Sequence, residues 1–421
     1  MSFTIGCFAE LAGKYDSWDS LSAFLTSDEG GKLRIIEPAD SVFALVRYTK
    51  GVSNFDIAHV PAFRSVVWNK KTNRPVCVAP VKAQNGIEVP ADCEVRVTDF
   101  VDGTMVNAWR STSYECGIAT RSSLHANAKF YSQRTFCELF DDALKNVGGM
   151  KSFLDSVLKD GTFVSFVLQH REHKTVGPIA YNRVFVTYYG SVDDAGVVTM
   201  SCTEMPERLA SYAPEVFENG ATFGADANDG SHSPRVEKTT PSGMVAQNKD
   251  RGYTWQGLVF QDVASSRRWR VRNRDYVTVR SLRGAEANPM QRFLRLRAEG
   301  TMKKYLSYFR EDNQLMWEFE EALRKRTTEL YSAYIDMNKL KQKGMRDLPY
   351  CLRPHVYALH GIYLASVKTQ GKPRPIIKET VIGYVNELGL EEQFKLLSSP
   401  LTVPEYVKPV PLEVAQPIPV A

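Results

Sequence analysis

The hydrophobic pattern of the chain changes near residue 286, and this change constrains the fold more than any other feature of the sequence. Before it, apolar runs of strand length are separated by turn residues. After it, apolar residues recur at helical spacing, in the stripe Leu315, Met316, Phe319, Leu323, Leu330, Tyr331 and Tyr334. A chain of 421 residues with 43% hydrophobic content can bury two or three cores. We therefore predict an α+β protein, with an antiparallel-sheet domain followed by a C-terminal helical domain.

We divide the chain into four predicted segments. Residues 1–42 form an N-terminal segment, residues 43–285 the strand-rich domain and residues 286–399 the helical domain. Residues 400–421 contain six prolines and are predicted to be an extended tail. Residues 219–248, rich in Gly, Asn, Asp, Ser and Thr, are predicted to form a mobile loop.

Two β-hairpins are predicted within the strand-rich domain. The first joins residues 63–68 to 75–80, and the second joins residues 95–98 to 104–109 around the turn residues Asp102 and Gly103. Helical spacing predicts helices at residues 135–144 and 151–158. Further strands are expected at residues 33–48, 118–122, 163–169, 184–189, 197–202, 253–261 and 268–279.

Positive charge is concentrated in one short stretch, residues 267–283. It holds seven arginines and one acid, Asp275, so it accounts for more than the whole chain's net charge of +5. Arginine recurs with period two at positions 268, 270, 272 and 274, which on a strand would place four guanidinium groups on one face. Such a face suits a polyphosphate or a nucleic-acid backbone, since each guanidinium can bind phosphate oxygens with two N–H groups. The other interpretation is a solvated edge strand whose charges prevent aggregation.

Several short segments occur in an order that points to a known family. They are Phe63–Val67 with Arg64, Asp102-Gly103-Thr104, Thr120-Arg121-Ser122, the strand-like run within residues 162–176, Trp255–Val259 with Gln256 and Gly257, and Trp269–Arg272. In that order, residues 43–284 resemble the phage-type RNA ligases of the covalent nucleotidyltransferase superfamily, diverged relatives of which are common in large DNA viruses.

The resemblance places Phe100 where an active enzyme of the family carries its nucleophilic lysine. It also places Val167 and Gln256 at two glutamate positions, and Arg270 and Arg272 at two lysine positions. A phenyl ring cannot attack an α-phosphate, and valine or glutamine cannot replace a carboxylate that supports a divalent cation. Arginine still binds phosphate.

The resemblance therefore implies an RNA-ligase-like protein that has lost covalent catalysis and binds RNA, a nucleotide or another polyphosphate. We assign no catalytic residue and no metal ligand. The expected nucleotide-binding residues are Arg64, Phe100, Asp102, Gly103, Arg121, Gln256, Gly257, Arg270 and Arg272. The expected nucleic-acid contacts are Arg267, Arg268, Arg274, Arg280 and Arg283.

Two alternatives remain open from the sequence. One is an active ATP-dependent RNA ligase that uses ATP and magnesium with a relocated amine, for which Lys50, Lys82 and Lys129 are the candidates. The other is a viral structural or interaction protein that reuses the fold, with a protein partner on the helical domain. The sequence has no membrane-length apolar run and no secretory signal at residues 1–13, so we expect an intracellular protein, in the host cytoplasm or the virion if it is viral.

Overall fold

A computed structural model of the chain describes residues 1–85, 94–111, 115–217, 241–370 and 373–401. The chain divides into two compact units, Met1–Arg283 and Gly284–Ala421. The first is built on β-sheets and the second is helical. The predicted α+β class, with antiparallel sheets followed by helices, is confirmed.

The first unit contains three sheets formed by fourteen strands among the described residues. The strands are β1 (Phe3–Ile5), β2 (Arg34–Ile36), β3 (Phe43–Arg47), β4 (Val66–Asn69), β5 (Arg74–Val78), β6 (Gln84–Asn85), β7 (Val95–Asp99), β8 (Thr104–Arg110), β9 (Cys116–Thr120), β10 (Thr162–Gln169), β11 (Arg183–Val192), β12 (Val198–Ser201), β13 (Gly257–Asp262) and β14 (Arg268–Arg272).

The largest sheet has six antiparallel strands in the order β1-β12-β11-β10-β8-β9. A second sheet has the order β6-β14-β13-β7, in which only the short β6–β14 pair is parallel. The third sheet is the antiparallel series β2-β3-β4-β5. Strand β1 pairs with β12, so the first residues of the chain belong to the six-stranded sheet.

Each sheet face has its own buried apolar cluster. Helices from the first 26 residues pack on the third sheet, around the fully buried Phe8, Phe63 and Trp68. A second cluster around Phe140 and Phe166 fixes the other side of the six-stranded sheet. Removal of this apolar area from water is the main stabilising contribution, at roughly 25 cal/mol per Å².

The helices of the first unit are short and locally specified. Their bounds are α1 (Cys7–Lys14), α2 (Trp18–Thr26), α3 (Phe136–Ala143), α4 (Gly149–Val157), α5 (Glu207–Ala210), α6 (Pro241–Gln247) and α7 (Arg274–Arg283). The predicted helix at residues 135–144 is confirmed as α3. Its start is fixed by a capping box, in which Thr135 accepts from the Glu138 N–H and Glu138 accepts from the Thr135 N–H.

The second unit contains helices α8 (Pro289–Ala298), α9 (Met302–Tyr308), α10 (Asn313–Tyr334), α11 (Arg353–Gln370), α12 (Lys378–Glu387) and α13 (Leu390–Ser398). Within it, Met316, Leu323 and Leu330 are buried, as the helical stripe predicts. Among the described residues, no helix has the length and apolarity needed to cross a bilayer.

The first predicted hairpin is confirmed by the pairing of β4 with β5, but the second is wrong. Strand β7 pairs with β13 in the mixed sheet, whereas β8 pairs with β9 and β10 in the six-stranded sheet. Residues 100–103 therefore cross from one sheet to another instead of turning back. The Asp-Gly pair resembles a turn signal, but both strands find partners far away in sequence.

Three further boundaries differ from prediction. The strand expected at residues 268–279 ends at Arg272, and α7 begins at Arg274. The strand expected from residue 253 starts at Gly257, after a 3-10 helix over Lys249–Thr254. Of the predicted loop at 219–248, residues 219–240 lie outside the described residues, and the remainder contains α6.

Candidate functional site

A cavity of about 330 Å³ lies between the six-stranded sheet and the mixed sheet. Strands β8, β10 and β11 contribute Thr104, Val167 and Thr187 to one wall, and β7, β13 and β14 form the other. Residues 100–103 connect the two sheets and run along the cavity between them. All four of its residues line the cavity.

Backbone contacts hold this connecting segment in place. The Phe100 N–H donates to the Gly257 carbonyl at 2.9 Å, and the Gln169 amide donates to the Asp102 carbonyl at 2.9 Å. A Cβ atom on Gly103 would lie 2.3 Å from the Leu168 carbonyl oxygen. The glycine is therefore required because the crossing segment passes directly against β10.

Five arginines line the cavity, namely Arg64, Arg268, Arg270, Arg272 and Arg280. Three of them are on β14, where period-two spacing puts them on one face as predicted. The sequence reasoning was wrong to add Arg274 to that face, because the residue lies at the start of α7. The Asn273 side chain accepts from the Asp275 N–H at 3.2 Å, an N-cap contact that ends the strand and starts the helix.

Several of these guanidinium groups donate hydrogen bonds within the described protein, including Arg280 to the Tyr131 hydroxyl at 3.3 Å. Arg64 donates to the Pro80 carbonyl at 3.2 Å, and Arg270 donates to the Asn85 side-chain oxygen at 2.9 Å. Burial, followed by the repulsion of Arg268 and other cations, lowers the pKa of Arg64 to about 10. Burial and the neighbouring Arg272 and Arg268 lower the pKa of Arg270 in the same way. The cleft thus concentrates positive charge that an anion would neutralise.

Phe100 packs against one of these arginines. The Arg272 guanidinium carbon lies 5.4 Å from the centre of the Phe100 ring, a cation–π geometry. The ring is half-buried and lines the cavity. The Phe100 ring therefore helps to fix the position of one arginine of the cavity lining.

Both carboxylates that line the cavity are already engaged by protein donors. Asp102 accepts from the Tyr276 hydroxyl at 2.9 Å and from the Val176 N–H at 3.2 Å. Burial raises the pKa of Asp102, and these two hydrogen bonds oppose that rise. Asp99 accepts from the Trp255 indole N–H and from Arg251.

His173 also lines the cavity and is a neutral side chain held by two hydrogen bonds. His173 Nδ1 lies 2.6 Å from the Phe130 carbonyl, which can only accept, so Nδ1 carries the proton and Nε2 accepts from the Thr104 hydroxyl at 2.8 Å. Burial is the main reason that the pKa of His173 falls from 6.5 to about 4, with Arg283 contributing. Sequence reasoning missed His173 and Tyr276, since their partners lie 69 and 174 residues away.

Within the described residues, no lysine lines the cavity, and no group of three or more His, Cys, Asp or Glu side chains could hold a metal ion. The lysines that the sequence suggests as relocated nucleophiles lie elsewhere. Lys82 lies over the Phe55 ring at 4.8 Å, and Lys129 is exposed. Lys50 is exposed, with a pKa lowered by partial burial and by Arg121, Lys82 and the β14 arginines.

Of the remaining predicted residues, one lines the cavity and the others do not. Arg121 donates to the Tyr48 carbonyl at 3.2 Å, and Arg267 forms an ion pair with Asp262 at 3.0 Å. Arg283 is buried with its guanidinium over the Tyr131 ring. Gln256 lines the cavity, whereas Gly257 supports it through the hydrogen bond to Phe100.

Comparisons with known proteins give distant likenesses. No protein-family model matches the chain, and no curated protein matches it. Its backbone is similar to archaeal ATP-dependent RNA ligase form 1, with a TM-score of 0.39, 11% identity and coverage of 76% of this chain and 82% of that chain. It is also similar to form 2, with a TM-score of 0.41, 13% identity and the same coverages. Likenesses this distant do not carry an activity over to this chain.

Proposed function

We propose that this protein is an RNA-ligase-like, nucleotidyltransferase-type protein that no longer transfers nucleotides covalently and binds RNA or nucleotide phosphates in the cleft. One observation carries the proposal. The cleft is lined by five arginines and, among the described residues, by no lysine, and Phe100 packs on Arg272 where an attacking amine would stand.

The binding half of the proposal rests on the charge of the cleft. Guanidinium groups stay protonated in proteins and bind phosphate oxygens with two parallel N–H groups. Burial and, after it, repulsion by neighbouring arginines lower the pKa values of Arg64 and Arg270, and a bound phosphate would relieve the repulsion. Phosphate contacts are independent of base sequence, so we expect binding across unrelated RNA sequences.

The loss of catalysis rests on three missing chemical groups. Covalent transfer needs an amine that can lose its proton, and Phe100 supplies none. It also needs carboxylates for a divalent cation, but Val167 and Gln256 occupy the corresponding positions. Asp99 and Asp102 do not replace them, since both accept hydrogen bonds from neighbouring side chains.

One observation favours a second candidate, an active RNA ligase with a relocated nucleophile. The lowered pKa of Lys50 is the property that a nucleophilic amine requires. Against this, Lys50 does not line the cavity, and attack on a phosphate requires placement to within about 1 Å.

The two candidates separate in a labelling experiment. The protein is incubated with α-labelled ATP, and separately with GTP, plus magnesium or manganese, and covalent adducts are retained on a denaturing gel. We expect no labelled protein. A label that disappears in Lys50→Arg would establish the relocated nucleophile instead.

Binding is then tested with single-stranded RNA at several salt concentrations. Arg270→Ala plus Arg272→Ala should weaken binding for every RNA sequence. It should also reduce the slope of log affinity against log salt by about 1.4, at about 0.7 per lost phosphate contact. The matched control is Arg208→Ala plus Lys159→Ala, which removes two exposed charges outside the cleft. Equal affinities in the two double variants would exclude the cleft as the binding site.

A further inference from the structure

The third sheet carries a pair of like charges directly opposite each other. Arg34 on β2 and Arg47 on β3 are paired residues of the antiparallel register. Side chains at directly paired positions leave the same face with Cβ atoms roughly 5 Å apart, and like charges there are destabilising. An arrangement of this kind is expected where an anion binds between the two cations.

Nothing within the described protein offsets this repulsion. Neither Arg34 nor Arg47 has an ion pair or a side-chain hydrogen bond to a described residue, and Arg47 Nε is buried without a partner. A third guanidinium, that of Arg121, lies close enough to contribute to the lowered pKa of Arg47. Buried polar atoms without partners are uncommon, so the Arg47 Nε hydrogen is available to an acceptor that a ligand supplies.

Contacts with Tyr48 hold the Arg121 side chain in position. It donates to the Tyr48 carbonyl at 3.2 Å, and its guanidinium stacks 5.0 Å from the centre of the Tyr48 ring. Ser65 donates to the Thr120 carbonyl at 3.3 Å, which holds the end of β9 against the third sheet. Arg121 is therefore presented by a braced strand end.

Positive charge continues from this group of three into the cleft. Arg121 also contributes to the lowered pKa of Arg64, which lines the cavity. Burial lowers the pKa of Lys50, and Arg121, Arg270 and Arg272 all contribute to the same change. We call these interacting cations the basic band; no carboxylate of the described residues makes a salt bridge with any of them.

We propose that Arg34, Arg47 and Arg121 form a second phosphate site outside the cleft, which binds the backbone of the same single-stranded RNA whose phosphates occupy the cleft. The inference rests on the proposed function and deepens it, because it makes the ligand a polynucleotide strand instead of a mononucleotide. A single nucleotide supplies phosphates at one end only, whereas a strand supplies one phosphate per residue along the basic band.

The test measures how affinity depends on RNA length. Oligouridylates of 2 and 12 nucleotides are titrated against the full-length protein, the variant Arg34→Gln plus Arg47→Gln, and the control Arg208→Gln plus Lys159→Gln. The unsubstituted protein should bind the 12-nucleotide RNA far more tightly than the dinucleotide. At 0.1 M salt the Arg34/Arg47 variant should lose about 25-fold of that gain, from two contacts at about 0.7 log units each. The control should keep the gain.

A loss of folding can be told apart from a loss of binding, since removal of the two repelling charges should leave the melting temperature equal to or above that of the unsubstituted protein. Arg34→Gln alone, at an exposed side chain, provides a second and milder variant with about 5-fold loss.

The possible outcomes distinguish a failure of the second phosphate site from a failure of the proposed function. An unchanged length dependence in the Arg34/Arg47 variant, with binding still lost in the Arg270/Arg272 variant, overturns the second site and leaves the proposed function intact. If RNA affinity falls in the Arg34/Arg47 variant but not in the Arg270/Arg272 variant, the cleft is not the RNA-binding site and the proposed function is wrong. Inorganic tripolyphosphate is titrated in parallel. If the Arg34/Arg47 variant loses as much affinity for tripolyphosphate as for the 12-mer, the second site binds free polyphosphate, and the proposal that it binds an RNA strand is wrong.

Discussion

The substitution Phe100→Lys, which introduces an amine into the cleft, should not by itself give the protein covalent nucleotidyl-transfer activity. In Phe100→Lys, the ammonium group would replace a ring whose centre lies 5.4 Å from the Arg272 guanidinium carbon. Two unit charges at that separation repel by about 3 kcal/mol at an effective dielectric constant of about 20. Because the site is only half-buried, solvent screening reduces this to about 1–2 kcal/mol. The repulsion lowers the pKa of the introduced amine and so favours its nucleophilic form.

A favourable amine is nevertheless insufficient, since the positions of Val167 and Gln256 still offer no carboxylate to a divalent cation. The assay is retention of label from α-labelled ATP with magnesium or manganese on a denaturing gel. Phe100→Lys should remain unlabelled, as should Phe100→Arg, the control that adds charge without a nucleophile. The triple variant Phe100→Lys, Val167→Glu, Gln256→Glu should be labelled. Labelling of Phe100→Lys alone would refute the reasoning, because it would show that the missing carboxylates are not needed.

Two further predictions concern the cleft's framework. Gly103→Ala should cost about 1–3 kcal/mol of the free energy of unfolding, measured in urea, because its Cβ would meet the Leu168 carbonyl at 2.3 Å. Gly13→Ala, where a Cβ meets nothing within 4 Å in a helix, should instead gain roughly 0.5–1 kcal/mol, and equal effects would contradict the close approach. Because the folded pKa of His173 is about 4 and its ordinary value is 6.5, its contribution to stability is complete above pH 6.5. That contribution should be lost as the pH falls to 4, by about 3 kcal/mol, and His173→Gln should lack this component of the pH dependence.

Local patterns were sufficient for local structure. The turn between β4 and β5, the capping box of α3 and the period-two arginines of β14 are each encoded within a dozen residues, and all three occur in the structure. The end of β14 could also have been found, since Asn273 followed by Arg274 and Asp275 is an N-cap pattern. Period two alone extended the strand too far because it ignored that signal.

The pairings that create the cleft could not be predicted in this way. Strand β7 pairs with β13, about 160 residues further on, and β8 pairs with β10, about 60 residues further on. Nothing local distinguishes a two-residue turn at Asp102-Gly103 from a crossing between two sheets, because both need glycine at the same place. The pairing of Arg34 with Arg47 could not be predicted either, since only the register of β2 against β3 places the two arginines side by side.

In the proposed function, arginine stands at positions 270 and 272, where the family resemblance expects lysine, and this changes what the cleft can do although it keeps the charge. A lysine ammonium is a compact charge on a flexible stem, suited to following charge as it develops on a leaving group. An arginine fork is fixed by its neighbours, here the Asn85 oxygen for Arg270 and the Phe100 ring for Arg272, and it favours a ground-state phosphate. Interactions that stabilise the bound ground state as much as a transition state do not accelerate a reaction. In the proposed function, Phe100 and the two arginines therefore act in the same direction, because the ring offers no nucleophile and also packs on Arg272, which would hold the ligand phosphate.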